Sequence, residues 1–180
     1  MHKLLLILFA VFAFSFQGCK KGDLDFNNSD AAHPKIPVTV SDVYMYYNGV
    51  PSVSTSVAAG GNITIQLNIP SSSGRTIKEI TRVAFANTTS NYAIIQNPNP
   101  AYSSPAPPLT GPYSATSVAG SGTSVTFTTS LADYATRTKS TLVTAGGTAT
   151  SFLGRYLYFL VTLDDGSTLI PVPVRVYVDN

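Results

Sequence analysis

The stretch YLYFLVTLDDGSTLIPVPVRVYV, residues 156–178, decides the fold because it predicts a β-hairpin. Asp165-Gly166 is a two-residue turn signal between two runs that are rich in β-branched and aromatic residues. This turn sets four facing pairs: Leu163 with Thr168, Val161 with Ile170, Phe159 with Val172, and Leu157 with Val174. One face of both strands is then apolar throughout, so we expect that face to lie in the core.

The second strand of this hairpin contains two prolines, Pro171 and Pro173. Residues two apart in a strand point their N–H groups to the same side, so both missing donors lie along one edge. We therefore expect the last strand to lie at the edge of its sheet. The face opposite the core carries Tyr156 and Tyr158.

Further strands are predicted upstream of the hairpin. Residues Asn62–Ile69 alternate apolar and polar side chains, which predicts a central strand with one wet face. Residues Ile36–Tyr47 hold two shorter alternations whose phase slips at Asp42, which indicates either a bulge or a switch between sheets.

Two more segments have the same texture. Ile77–Ala86 places Val83 and Phe85 inward, and Thr123–Thr129 places Val125 and Phe127 inward. Short alternating segments separated by Gly, Pro, Ser and Asn predict an all-β fold, a single antiparallel β-sandwich of about seven strands over residues 36–180.

The segment between residues 130 and 153 admits two interpretations. Ser130 to Asp133 is a weak helix-capping signal, which favours a short helix or turn. The many threonines lower helix propensity, and Thr141–Thr144 fits a strand equally well.

The N-terminal residues have a different character from the rest of the chain. Residues 1–18 combine a basic start with an apolar run too short to span a bilayer, which predicts a cleaved signal peptide. Residues 19–35 are polar and contain few large apolar side chains, so we expect a flexible tether.

The junction between these two segments resembles the lipobox of bacterial lipoproteins. Phe16-Gln17-Gly18-Cys19 places a small residue directly before the single cysteine of the chain; Gly18 and Cys19 fit the family pattern, whereas Phe16 and Gln17 depart from it. The resemblance implies acylation of Cys19, with several acyl chains holding the protein to a membrane. The alternative is an ordinary secretory peptide with an incidental cysteine.

Charge and composition exclude several classes of function. The net charge is +2, and none of the five arginines has a basic neighbour in the sequence, which argues against a nucleic-acid partner. The histidines are His2, in the signal peptide, and His33, in the tether, so the domain has no histidine for a catalytic triad or a zinc site.

Acidic side chains are also scarce in the predicted domain, which holds Asp42, Glu79, Asp133, Asp164, Asp165 and Asp179. A glycosidase needs two carboxylates across a cleft. Asp164 and Asp165 are adjacent at a turn. The simpler interpretation is that their side chains stabilise the turn, and the alternative is that they bind calcium. We therefore expect no catalytic residue, no metal and no cofactor.

Residues 87–122 are rich in proline and hold Tyr92, Tyr102 and Tyr113. We expect a long, semi-rigid loop, and such loops in compact domains are often functional. The three tyrosines are the candidate ligand or partner contacts. The alternative is that they cover the outer Tyr156/Tyr158 face of the sandwich.

The whole chain resembles Bacteroidetes-type surface lipoproteins, with Cys19-Lys20-Lys21-Gly22-Asp23 at the mature start and a low-charge body rich in Ser, Thr and Tyr. The body is similar to immunoglobulin-like or fibronectin type III-like domains. The resemblance implies an outer-membrane lipoprotein, in either leaflet, that binds a polysaccharide or an envelope protein without catalysis, as glycan-uptake accessories do. The alternative functions are a fimbrial-type subunit assembling by strand exchange and a glycan hydrolase.

Overall fold

The structure, a computed structural model, describes residues 36–140 and 151–179. Within these ranges the chain forms β1 (Thr39–Val40), β2 (Met45–Tyr47), β3 (Val50–Ser56), β4 (Asn62–Asn68), β5 (Ile77–Ala86), α1 (Ala93–Gln96), β6 (Thr110–Ser114), β7 (Val118–Ala119), β8 (Ser124–Ser130), α2 (Leu131–Thr138), β9 (Ser151–Phe152), β10 (Tyr156–Leu163), β11 (Thr168–Leu169) and β12 (Arg175–Asp179). A 3-10 turn covers Ser71–Ser73.

The all-β prediction is confirmed, since strands dominate and the helices are short. The described residues hold twelve strands in three sheets, where the sequence predicted about seven. None of the helices in these ranges is long and apolar enough to cross a membrane. The predicted signal peptide, Cys19, the tether and the Thr141–Thr144 strand lie outside the described residues.

The first sheet has three strands in the order β1-β4-β8. β4 lies in the centre, as its alternation predicted, with Ile63, Ile65 and Leu67 fully buried. β1 and β2 belong to different sheets, and Asp42 between them has a positive φ of 52°. The phase slip at Asp42 is therefore a switch between sheets.

The second sheet has the order β11-β10-β5-β6, and β7 also pairs with β5. β5 has the predicted bounds, and its inward Val83 and Phe85 are fully buried. Residues 87–122 are not one loop, because they contain β6 and β7 as well as α1. Pro112 lies within β6, which is at the edge of the sheet, where a missing N–H is tolerated.

The predicted hairpin forms, but its register near the turn was wrong. Val161 pairs with Leu169 rather than with Ile170, and Leu163 N–H donates to Ser167 O at 2.9 Å. The turn therefore has three residues, 164–166, and ends on Gly166 in the left-handed region (φ 84°). Farther from the turn, the predicted pairing of Leu157 with Val174 is confirmed.

The predicted edge position holds for only the first part of the last strand, because β11 lies at the edge of the second sheet. The prolines at 171 and 173 divide the predicted strand, because residues without N–H groups cannot continue the ladder. Beyond them the chain enters a third sheet of order β2-β3-β12-β9, where β12 is internal. β12 runs parallel to β3, an exception to the expected antiparallel pairing.

One cluster of buried apolar side chains draws on all three sheets. It includes Ile65 and Phe127 from the first sheet, Phe159 from the second and Val176 from the third. The short helix predicted from the capping signal at Ser130 is confirmed as α2: Ser130 Oγ accepts from Asp133 N–H at 3.0 Å. Tyr134 docks this helix on the core, only 1% exposed.

Candidate functional site

The three tyrosines predicted as contacts lie in different surroundings, and Tyr113 is in the core. Val83 pairs with Ser114 and Ala84 with Pro112, so Tyr113 is the extra residue of a β-bulge in β6. Its side chain is 3% exposed and its hydroxyl lies 2.7 Å from Thr129 Oγ1. Burial raises the pKa of Tyr113 to about 12.

Tyr92 lies on the other side of the second sheet, in a small cluster with Ala84, Ile95 and Tyr158. Its ring meets the Tyr158 ring edge-on, with centroids 5.7 Å apart. Tyr158 is fully buried, and its hydroxyl donates to Thr88 O at 2.5 Å. For Tyr92 the covering role is therefore confirmed, since it packs on the Tyr156/Tyr158 face.

Tyr102 is 42% exposed and lies over Gly111. A Cβ at Gly111 would come within 2.5 Å of the Tyr102 ring, so this close approach requires glycine. Lys139 Nζ lies 4.1 Å from the ring centroid on Tyr102. Of the three predicted contacts, Tyr102 is the one that remains open to a partner.

A larger aromatic surface, which local sequence patterns did not predict, covers the outer side of the third sheet. We call it the aromatic face and define it by Tyr44, Tyr47, Phe152, Arg175 and Tyr177. Inward side chains of this sheet, such as Val53 and Val176, belong to the main core. Because strand side chains alternate, Arg175 and Tyr177 point away from that core, and Phe152 pairs with Tyr177 across β9 and β12.

The rings of the aromatic face form one continuous series. Tyr47 and Phe152 have centroids 6.3 Å apart, and Phe152 and Tyr177 are 5.2 Å apart. Tyr177 and Tyr44 are stacked at 4.8 Å with an interplanar angle of 18°. Residues from three distant parts of the chain therefore build one platform.

Two small side chains lie beneath these rings. Val50 pairs with Tyr47, and Ser52 pairs with both Met45 and Arg175, so Val50 and Ser52 are on the outer side of the sheet. They are nevertheless only 6% and 0% exposed. Ser52 Oγ is buried without a hydrogen-bond partner among the described residues. Neighbouring side chains on the outer side of the sheet therefore shield both residues from water.

The rings of Tyr44 and Tyr47 remain accessible. Tyr44 is 47% and Tyr47 is 55% exposed, whereas Phe152 and Tyr177 are half-buried. The Tyr177 phenol is the main cause that raises the pKa of Tyr44, followed by desolvation and by Asp179. Tyr44 is therefore an uncharged phenol at neutral pH. The rings are tilted or edge-on to one another except for the stacked Tyr44 and Tyr177, so the face is an uneven aromatic surface with phenol hydroxyls.

Arg175 supplies the positive charge of the face. Its guanidinium carbon lies 4.3 Å from the Phe152 centroid and 5.2 Å from the Tyr156 centroid. Its Nε donates to Leu153 O at 3.4 Å. These contacts hold the cation next to Phe152, an inner member of the ring series.

The sequence contained a partial signal for this surface. The run Tyr44-Met45-Tyr46-Tyr47 places aromatic residues at both phases of a short strand, which is not the pattern of a strand with one wet side. The short alternation of Val43, Met45 and Tyr47 was interpreted only as part of a strand. Nothing local indicated that Phe152 and Tyr177 would join these residues.

The carboxylates at the hairpin turn are engaged in the fold. Arg75 forms ion pairs with both Asp164 and Asp165. Asp165 Oδ1 also accepts from the N–H of Ser167 at 2.9 Å. The carboxylates of Asp164 and Asp165 are therefore used in the turn and in ion pairs with Arg75, as the turn interpretation predicts. Within residues 36–140 and 151–179, no group of three or more His, Cys, Asp or Glu side chains is arranged to hold a metal ion.

Comparison with protein-family models, with curated proteins and with solved structures gave no match for this chain.

Proposed function

We propose that this protein is a non-catalytic lipoprotein of the outer membrane, anchored through acyl chains on Cys19, that captures a polysaccharide on its aromatic face. The observation that carries the proposal is the ring series of Tyr47, Phe152, Tyr177 and Tyr44, which lies on an outer sheet surface and not in the core. Exposed apolar patches of this kind mark interaction sites.

The composition of the face supports a sugar chain over an apolar protein surface. Tyrosine offers a flat ring with a polar tip, so it can stack on a sugar ring and bond its hydroxyls. Exposed Ser54 pairs with Tyr177, which places its hydroxyl on the same side of the sheet. Arg175 adds charged donors. Obligate protein interfaces are more apolar than this.

For the architecture, we propose that the three sheets form an immunoglobulin-like or fibronectin type III-like β-sandwich in which the third sheet presents the ligand surface. The shared core cluster supports this, because it contains inward side chains from every sheet. In this architecture, residues 87–109 and the β2–β3 turn are connections between strands.

The fimbrial-type alternative is less well supported. Strand exchange needs a long edge, and the edge strands of the third sheet, β2 and β9, have only three and two residues. The seven-residue β8 at the edge of the first sheet is the position that a donated strand would have to extend. Size-exclusion chromatography of the purified protein distinguishes the two: a ladder of oligomers that persists in dilute solution would favour the fimbrial function.

The binding proposal is tested with detergent-solubilised protein made from the full chain. Retention on a panel of neutral and acidic polysaccharides is measured by affinity gel electrophoresis. We expect Tyr47→Ala and Tyr177→Ala each to weaken binding at least tenfold, as central aromatic contacts do. Tyr46→Ala is the matched control, because Tyr46 is on the same strand and exposed but points to the opposite side.

Two results would contradict the proposal. One is that no polysaccharide retards the wild-type protein. The other is that Tyr46→Ala weakens retention as much as Tyr47→Ala does. The anchor is tested separately by metabolic labelling with radioactive palmitate: we expect label on the wild-type chain and none on Cys19→Ser.

A further inference from the structure

Resting on the proposed function, we propose that Arg175 makes the aromatic face selective for acidic polysaccharides, by pairing its guanidinium with the carboxylate of a uronic acid unit. The juxtaposition of a held cation with a sugar-stacking platform carries this inference.

The five arginines differ in how their terminal nitrogens are used. Arg75 pairs with the turn carboxylates. Three others donate to main-chain carbonyls: Arg82 to Ile95 and Pro98, Arg137 to Tyr113, and Arg155 to Gly154. Arg175 bonds to Leu153 O through Nε alone. Its two terminal nitrogens make no hydrogen bond within the part of the chain that the structure describes.

Arg175 is also held in place before any ligand arrives. Its guanidinium packs against the rings of Phe152 and Tyr156, at 4.3 and 5.2 Å. A guanidinium that is stacked in this way loses little further freedom when it binds an anion. Its free edge presents two parallel N–H donors, which is the geometry that a carboxylate accepts.

The position of Arg175 suits a ligand that stacks on the rings. Arg175 and Tyr177 are two residues apart on β12 and point to the same side, so their Cβ atoms are about 7 Å apart. That separation is close to the width of one sugar ring. Tyr44 already stacks on Tyr177 and the guanidinium lies over Phe152, so a sugar unit that contacts the parts of these rings left accessible brings a ring substituent to the guanidinium.

The surrounding charges favour an anion next to Arg175. Among the described residues, no carboxylate forms an ion pair with Arg175. Asp179 lies on the same side of β12, but four residues farther along, at about 13 Å. Next to Arg175, the attraction of a ligand carboxylate to the guanidinium is therefore stronger than its repulsion by the carboxylates of the protein.

The test uses two forms of one polymer, polygalacturonate and its methyl ester, which differ in charge but share a backbone. Binding to the detergent-solubilised full-length protein is measured by affinity gel electrophoresis at low and high salt. We expect polygalacturonate to bind at least tenfold more tightly than the ester, with the difference shrinking as salt screens the pair.

Three variants separate the specific pair from general charge. Arg175→Gln should abolish the preference for the acid while leaving weak binding to both polymers. Arg175→Lys should retain part of the preference, since it keeps the charge without the fork. Arg75→Gln removes the same charge elsewhere, next to Asp165, and should keep the full preference. Circular dichroism confirms that each variant is folded.

The outcomes distinguish this inference from the proposed function. Equal binding of the two polymers by the wild-type protein, or a preference that survives in Arg175→Gln, overturns the role of Arg175 while polysaccharide capture stands. Failure of the wild-type protein to bind either polymer, or any neutral polysaccharide, overturns both. Binding that Arg75→Gln lowers equally shows a general charge effect and also overturns the inference.

Discussion

Replacing Tyr134 with phenylalanine removes a hydroxyl that bonds twice to one residue. Tyr134 Oη donates to Arg155 O at 2.9 Å and accepts from Arg155 N–H at 2.8 Å. The bond pair ties α2 to the chain just before β10, on the far side of residues 141–150. The ring is 1% exposed, so water cannot easily replace the hydroxyl.

The expected cost follows from these contacts. Phenylalanine fills the same space, so no cavity term arises. Each lost hydrogen bond contributes about 0.5–1.5 kcal/mol, and the partly buried groups of Arg155 left without partners add to this. We expect the free energy of unfolding to fall by about 2–3 kcal/mol, and Tm to fall by about 5–10 °C in a chain of this size.

The assay is thermal and urea unfolding followed by circular dichroism. Tyr156→Phe is the matched control, because the Tyr156 hydroxyl makes no hydrogen bond to any described residue, and this change should stay within about 0.5 kcal/mol. A Tm for Tyr134→Phe within about 2 °C of the wild-type value would refute the reasoning, as would an equal loss in the control.

Three further predictions concern burial, protonation and the proline-rich segment. Ser52→Ala removes a buried hydroxyl without a described partner and should stabilise the protein by about 1 kcal/mol in urea unfolding; a loss of stability would indicate a missed partner. Burial raises the pKa of Tyr113 to about 12, so the fold favours the neutral phenol. The resulting stability is complete below pH 10 and is lost as the pH rises toward 12, and Tyr113→Phe should show a shallower decline in unfolding free energy over that range. Arg82→Ala removes the two donors that bind Ile95 O at 2.7 and 3.2 Å and should speed amide hydrogen exchange in residues 87–109, while exchange in β4 stays unchanged.

Local patterns in the sequence predicted the elements whose side chains alternate cleanly. β4 and β5 have their predicted positions, and the inward residues of β8 are buried. The Ser130 cap was also visible, because capping depends on a side chain and an N–H only three residues apart. Each of these features involves neighbours within one segment, so a short window of sequence contains all the information needed.

The register of the final hairpin could not be predicted from a short window of sequence. Asp165-Gly166 indicated a turn, but two- and three-residue turns share the same residues and differ only in where the first strand stops. In the structure, Gly166 is left-handed and the ladder shifts by one residue. The prolines correctly indicated a break in hydrogen bonding after the edge strand β11, but the sequence did not predict that the chain would cross there to an internal position in another sheet.

The sequence by itself determined that the body is all-β, which strand faces are apolar, and that catalytic side chains are scarce. Tertiary structure alone decided that β12 would lie parallel to β3, that β6 would pair with β5 and bury Tyr113, and that Tyr47, Phe152 and Tyr177 would meet on one face. The physical reason is that alternation fixes the side of a strand on which a residue lies, whereas strand partners are chosen by packing between segments over a hundred residues apart.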